Sequence, residues 1–583
     1  MTTFAWTLIL PLLAAPPAPT AASEPAPWVL RGVEARLSFN GDLLRALGLR
    51  LTKASGPDAD GRLRVDLQGV GTLTATAPRG VFGTIVSGEV GFEEAPALVW
   101  SGGLVGLGGA RLRGGLTEKT LEILGADGAL LFTADHMHVN VDRQAGRIRL
   151  YNLDLRLSPG LAGRLGEPRH TGLPVATLEV RAAVEIPAGS VESLEGACTN
   201  PVWGPNDVGL VDIESVSQSA IEPGVRVAIT PSASLSNQGT TDVPWYEKFH
   251  ANSPPYNNDQ HPLLTWNLYR VAGGALEQIG ASAMKHAFFT INSGCACAGG
   301  NILWVGCGDT YGVGTNEDRF NLGPRSELTA HTGIWLRCGS IFDPNCDGIQ
   351  DTPPIVDAFD RRMTVVESDL QTPGAEYYVD AWYVVRDDVN IFNTMGWKRV
   401  QPSFSGGTWS FALLTPLNLG AVVDEWVDPS APGPNADNRL LDTGEGRLKV
   451  AVRATDLGGG QWSYAYVISN LDFDRRIGSF TVPRPSGTTV TNLVFHDGDN
   501  DATTDWAATV TPGSIVWQTP VDPGAQDWGR LFSFGFQVNA APVAGAPVTV
   551  TLGIQEAPGG VLTTPIVGPS MITPVELQRF DVE

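Results

Sequence analysis

The stretch GCACAGGNILWVGCGDTYGVGTNEDRFNLGPRSEL, residues 294–328, is followed by CGSIFDPNCDGIQD at 338–351, and together they hold five of the six cysteines of a 583-residue chain. Cysteine this dense, set among glycines and asparagines, describes a cross-linked loop region. Cys338 and Cys346 flank one tight loop and are expected to pair with each other. Cys295 and Cys297 are too close in sequence to bridge one another easily, so each is expected to reach Cys307 or Cys198. A zinc alternative for Cys295, Cys297 and Cys307 lacks the paired CxxC knuckles of structural zinc sites. Disulfides in turn predict an oxidising compartment.

Working outward, the chain alternates apolar and polar residues over short runs. Examples are Arg62–Leu67, Arg147–Leu150, Leu153–Leu157, Val225–Ile229, Arg447–Val452 and Arg530–Val538. A period of two puts one face on a core and the other in water. Gly 68 and Pro 42 supply the turns between such runs. The predicted fold class is mainly all-β: multi-domain β-sandwich modules with a β-rich N-terminal domain containing short helices. Two segments look like one duplicated unit, ARLSFNGDLLRALG (35–48) and LRLSPGLAGRLG (155–166). Each is expected to run from a strand through a polar turn into a short helix.

The predicted organisation is a signal peptide at 1–22, an N-terminal domain at 28–187 and a linker at 188–206. A central Cys/Gly-rich β domain at 207–445 and a C-terminal β-sandwich at 446–583 follow. Phe4–Ala15 is apolar, too short to cross a bilayer, and precedes small residues suited to leader cleavage. No later stretch reads as an integral membrane segment. The expected location is therefore secreted, extracellular or periplasmic. Net charge is -23, carried almost wholly by residues after Glu185. Such a body repels phosphates, so nucleic acid is not an expected partner.

The stretches QIGASAMKHAFFTIN (278–292), GCGDTYGVGTN (306–316), LGPRSEL (322–328), YYVDAWYVVRDD (377–388) and ATDLGGGQWSYAYVISNLDFDRRIGSFTVP (454–483) resemble a group of exported bacterial proteins. That group shares SxxKH, GCxDxY, LGPRS and DLGGGxWxYxY patterns, over about 206–552 of this chain, and carries no assigned activity. The chain departs from the pattern at Ala283 and Ala287, where Trp and Gly are expected. The resemblance implies export and one assembled region, and it supplies no catalytic residues. The N-terminal unit lies outside it.

Several constellations carry chemistry. Asp343, Asn345, Asp347 and Asp351 have the D-x-N-x-D-G spacing of extracellular calcium loops, with Gly348 at the sharp turn. Calcium is the expected cofactor, and Pro353 and Pro354 exclude the flanking helix of an EF-hand. A second acidic run, His496 to Asp501 with Asp505, reads as a solvated loop. His136, His138 and Asn140 are expected on one face of a strand, more as hydrogen-bonded histidines than as metal ligands. Ser282 and Lys285 fit S-x-x-K, in which lysine activates serine one helical turn away. With His286, Asp309, Arg325 and Glu327 they form the weaker alternative site. Trp382, Trp397, Trp462 and Trp506 fall beside polar loops, where exposed indoles would stack on sugars and buried ones would fill cores.

The reading is a secreted, non-catalytic structural, adhesion or glycan-binding protein, with extracellular polysaccharide or a cell surface as partner. Its alternative is a secreted hydrolase acting on an extracellular polymer, sited on the loops near Ser282 to Arg325.

Overall fold

The computed structural model describes residues 27–570 apart from 53–56, 59–60, 78–80, 94, 118, 188–197, 251–252, 257–260, 296, 500 and 558. The expected leader and much of the expected linker lie outside the described residues. The rest is all-β, built from antiparallel sheets with a few short helices.

The first region is a closed barrel. The strands Trp28–Asn40, Arg62–Ala75, Ile85–Phe92, Ala110–Gly114, Leu121–Leu124, Leu130–Asp135, Arg147–Leu157 and Pro174–Glu185 form its eight staves. Arg147–Leu157 closes the ring by pairing with Leu130–Asp135 on one side and Pro174–Glu185 on the other. An eight-stranded barrel is just wide enough for side chains to fill it, and the alternating Leu, Val, Ile and Phe residues of these strands form one continuous core. Closure also removes the free sheet edges at which chains aggregate. The duplicated segments both run from strand to helix. Asn40 caps the helix Gly41–Ala46, and Ser158 caps Pro159–Arg164, each side-chain oxygen accepting otherwise orphaned amide hydrogens.

The central region is organised by one 13-stranded sheet, with the long hairpin Val208–Glu222 and Arg226–Asn237 on one side of it. The C-terminal region consists of two five-stranded sheets, the first of which includes the strand Ala436–Asp442, ahead of the expected boundary at 446. Tyr464, Tyr466, Phe480, Trp517, Phe534 and Phe536 fill the space between them. Two further apolar clusters take residues from both regions, one around Trp335, Trp382 and Trp528, the other around Trp397, Trp426 and Leu531. The central and C-terminal regions therefore share buried apolar surface.

The barrel is joined differently. No apolar cluster is common to it and the body among the described residues. Its joint is polar and buried. Asp154 sits on the outward face of the closing strand and has no solvent exposure. The amides of Val313 and Gly314, at the start of the one-turn helix Val313–Asn316, donate to its two oxygens at 2.8 Å each. His136 bridges Asp154 (Nδ1, 3.2 Å) and Glu214 of the body (Nε2, 2.6 Å). Arg62 donates to the Gly314 carbonyl at 2.8 Å and approaches Glu317, to which Asn40 also donates.

His136 has φ +59, a left-handed conformation uncommon outside glycine. It interrupts the alternation, so the two histidines do not share a face as the sequence suggested. His136 turns to Glu214, and His138 stacks on Tyr311 of the body with ring centroids 5.8 Å apart. The glycines of GVG are set by this contact. A Cβ on Gly312 would lie 2.5 Å from Asp154 Oδ2, and one on Gly314 would lie 2.4 Å from Thr177 Cγ2.

Burial opposes charge on His136, but its hydrogen bonds to Asp154 and Glu214 raise its pKa to about 10. Burial likewise opposes charge on Asp154. The His136 hydrogen bond and the Arg156 charge nevertheless hold it below the usual carboxylate range. A raised histidine contributes stability that is complete below its unfolded pKa and lost as pH rises through the folded one. The joint is therefore predicted to weaken between pH 7 and about 10. Asp154→Ala, which strands the buried amides of Val313 and Gly314 and leaves His136 and Arg156 with one carboxylate each, Glu214 and Asp135, is predicted to cost roughly 1–3 kcal/mol for each stranded donor. Urea unfolding should show this as a separate, earlier barrel transition; a single transition with an unchanged midpoint would contradict it.

Candidate functional site

The three disulfides are Cys198–Cys297, Cys295–Cys307 and Cys338–Cys346, with no free cysteine among the described residues. The zinc alternative is thereby overturned, since all three of its ligands are spent in bridges. The bridges are the chemistry of an oxidising compartment, and no helix of the described residues is long and apolar enough to cross a membrane. They pin the loops that carry GCGDTYGVGTN to the central core.

The structure does not gather the six residues of the alternative site. Ser282 precedes the short strand Met284–His286, so the helical turn that S-x-x-K chemistry needs is missing. Ser282 Oγ accepts the Trp266 amide hydrogen at 3.0 Å. Lys285 and His286 have no solvent exposure. Lys285 Nζ donates to the His286 carbonyl at 2.9 Å and lies 3.8 Å from the Phe288 ring centroid. Burial pushes its pKa well below the ordinary lysine value. His286 shares a 2.8 Å hydrogen bond with His261. Asp309 accepts the Ile291 amide hydrogen at 2.9 Å, and burial pushes its carboxyl up to about 7.

Ser282, Arg325 and Glu327 border an open cleft between the central and C-terminal regions, with a volume of about 1010 Å3, and Lys285, His286 and Asp309 do not line it. Arg325 is 6% exposed and donates to the carbonyls of Ser282, Trp266 and Gly529 and to Asn267 Oδ1. Trp528 Nε1 returns a hydrogen bond to its carbonyl at 2.9 Å. Arg325 is therefore a rivet between the two regions. Burial lowers its pKa to about 9. Glu327 accepts from Trp335 Nε1 and the Ile341 amide.

The groups presented to the cleft come from farther along the chain. Asp497 and Asp499, from the second acidic run, line it with Asp474, Asp527 and Arg530. Burial, then the neighbouring Asp499, pushes Asp497 up to about 6. Burial also raises Asp474 and Asp527. Arg476 is matched by Asp522 and Glu556. Arg530 has neither a side-chain hydrogen bond nor an ion pair among the described residues. Nothing in the sequence marked Arg530 or Asp527. Each sits in an ordinary strand or turn, and only the approach of two regions makes them neighbours.

Other expectations resolve by position. Trp382, Trp397 and Trp506 are buried at 6%, 6% and 3% exposure, so they are core fillers rather than sugar platforms. Asp343 is buried, faces Arg337 Nε at 3.5 Å and accepts the Gly348 amide hydrogen at 3.2 Å. Asn345 donates to Asp347 at 3.0 Å. Ligand atoms of Asp135, His136 and Asp154 do converge within 4.8 Å, but Arg156 lies 2.8 Å from Asp135 and 3.2 Å from Asp154, supplying the positive charge.

No family model matches the chain, and no curated protein matches it. Among solved structures it is similar to the C-terminal domain of HtaA from Corynebacterium glutamicum, at 12% identity and a TM-score of 0.18, over 27% of this chain and 99% of that one.

Titration of the denatured, unreduced protein with a thiol reagent is predicted to find less than one reactive thiol per chain. Stoichiometric labelling of several cysteines would contradict the bridges. Ser282→Ala is predicted to lower stability by roughly 1–3 kcal/mol, because it strands the buried Trp266 amide.

Proposed function

We propose that the protein is an exported, non-catalytic binding protein that seats an extracellular glycan in the cleft between its central and C-terminal regions. The observation carrying this reading is Arg530, which makes no ion pair or side-chain hydrogen bond among the described residues and lines the cleft together with Asp474, Asp497 and Asp527. Guanidinium and carboxylate groups on one wall offer paired donors and acceptors to the adjacent hydroxyls of a sugar. The placement of Lys285 and His286 outside this cleft, and the engaged hydroxyl of Ser282, support binding without nucleophilic chemistry.

Calorimetry against a panel of soluble polysaccharides tests the reading. At least one should bind, and Arg530→Ala should weaken that binding tenfold or more. Absence of binding across the panel, or indifference to the substitution, would contradict it. Affinity should also change through about pH 6, where Asp497 gains its charge as pH rises.

One observation favours the hydrolase alternative. A carboxyl held near pH 6 beside other carboxylates is what a general acid requires. Release of reducing ends from a polysaccharide, abolished by Asp497→Asn, would establish it. Calcium is proposed for the loop of Asp343, Asn345, Asp347 and Asp351, supported by its spacing and by the bend at Gly348, and it would replace Arg337 at the Asp343 carboxylate. Chelation with EDTA should then lower the melting temperature; an unchanged midpoint would remove calcium from the account.

A further inference from the structure

A second cavity, of about 430 Å3, opens at the junction of the barrel and the body, away from the cleft. Its size falls within the roughly 300–1,000 Å3 typical of small-molecule sites. Four cations line it. Arg62 meets Glu317, Arg64 meets Asp58 at 2.9 Å, and Arg149 meets Glu179 at 2.8 Å. Lys248 is different. Its side chain is 8% exposed, donates to Asn321 Oδ1 and lies 4.8 Å from the Phe342 ring centroid. Among the described residues no carboxylate comes within ion-pair distance of its Nζ.

A buried ammonium without a counter-charge is costly, and here it borders a cavity. Asn152 lines the same cavity, and its Nδ2 is a buried donor without a hydrogen-bond partner. Phe288, Phe289 and Phe320 give the wall a half-exposed apolar side. Glu247 and Asp318 also line it, so a polyanion would meet repulsion beyond the first negative charge.

We propose that this junction cavity binds a monoanionic sugar, a uronic acid, with its carboxylate on Lys248 and its ring against the phenylalanine side. One unmatched cation calls for one negative charge, and the acidic groups accept hydrogen bonds from hydroxyls. Because the lining comes from both the barrel and the body, such a ligand would also strengthen their joint.

Burial lowers Lys248 to about pH 8, against the opposing pull of Asp318 and Glu247. The charged groups facing it are these two acids and, across the cavity, Arg62, Arg64, Arg149 and Glu179, with Lys285 and His286 behind it. An anion that requires protonated Lys248 should bind more weakly as pH rises through about 8.

The test is calorimetry of the full chain with galacturonate, galactose and acetate. Galacturonate should bind at least tenfold more tightly than either control, and Lys248→Met should abolish the preference. Arg530→Ala, in the separate cleft, should leave it intact. Should Lys248→Met fail to fold, the loss of wild-type affinity between pH 7 and 9 carries the same information. Equal binding of galacturonate and galactose, no binding of galacturonate, affinity independent of pH, or unchanged binding by Lys248→Met would each overturn the proposal.

Discussion

The architecture turns on one buried carboxylate. Asp154 stands on the outside of a closed barrel, where an isolated barrel would leave it in water, and the body covers it completely. Removal of a carboxylate from water is tolerated only when donors and positive charge replace the lost solvent. Two helix-start amides, His136 and Arg156 do so. Their geometry fixes where the barrel sits, forces the left-handed backbone at His136 and excludes side chains at Gly312 and Gly314.

The two joints of the molecule thus rest on different physics. The central and C-terminal regions are merged by shared tryptophan-rich clusters, with Arg325 riveting the seam. Apolar burial of this kind carries no titrating group. The barrel joint consists of hydrogen-bonded charges and responds to pH. Stapled loops serve the second joint. The bridges Cys198–Cys297 and Cys295–Cys307 hold the segment leading into Val313–Asn316, so the amides that receive Asp154 start from a constrained position.

Much of the architecture could be read from the sequence. Alternation in Arg147–Leu157 and Arg447–Val452 reports a half-buried strand whatever its neighbours, and the capped helices after Asn40 and Ser158 follow from local turn chemistry. The Cys338–Cys346 pair was legible from its tight loop, whereas which of Cys295 and Cys297 reaches Cys307 depends on where Cys198 returns in the fold. Sites were less so. GCGDTYGVGTN and LGPRSEL stood out as motifs, but their role is to receive the barrel and to rivet the C-terminal region, which depends on partners such as Asp154 and Gly529 that no local pattern names. The tryptophans beside polar loops were ambiguous for the same reason, since a cover from another region decides whether an indole is a platform or a core. Barrel closure was equally hidden, being a pairing between strands that alternation alone does not identify.

The most direct test of this account is amide hydrogen exchange at Val313 and Gly314. If Asp154 is the anchor, Asp154→Ala should speed exchange at both amides roughly tenfold or more, since a hydrogen bond to a charged group contributes about 1.5–3 kcal/mol, while the amides inside the C-terminal sandwich keep their protection. Equal protection at Val313 and Gly314 with and without the carboxylate would mean that something else positions the barrel.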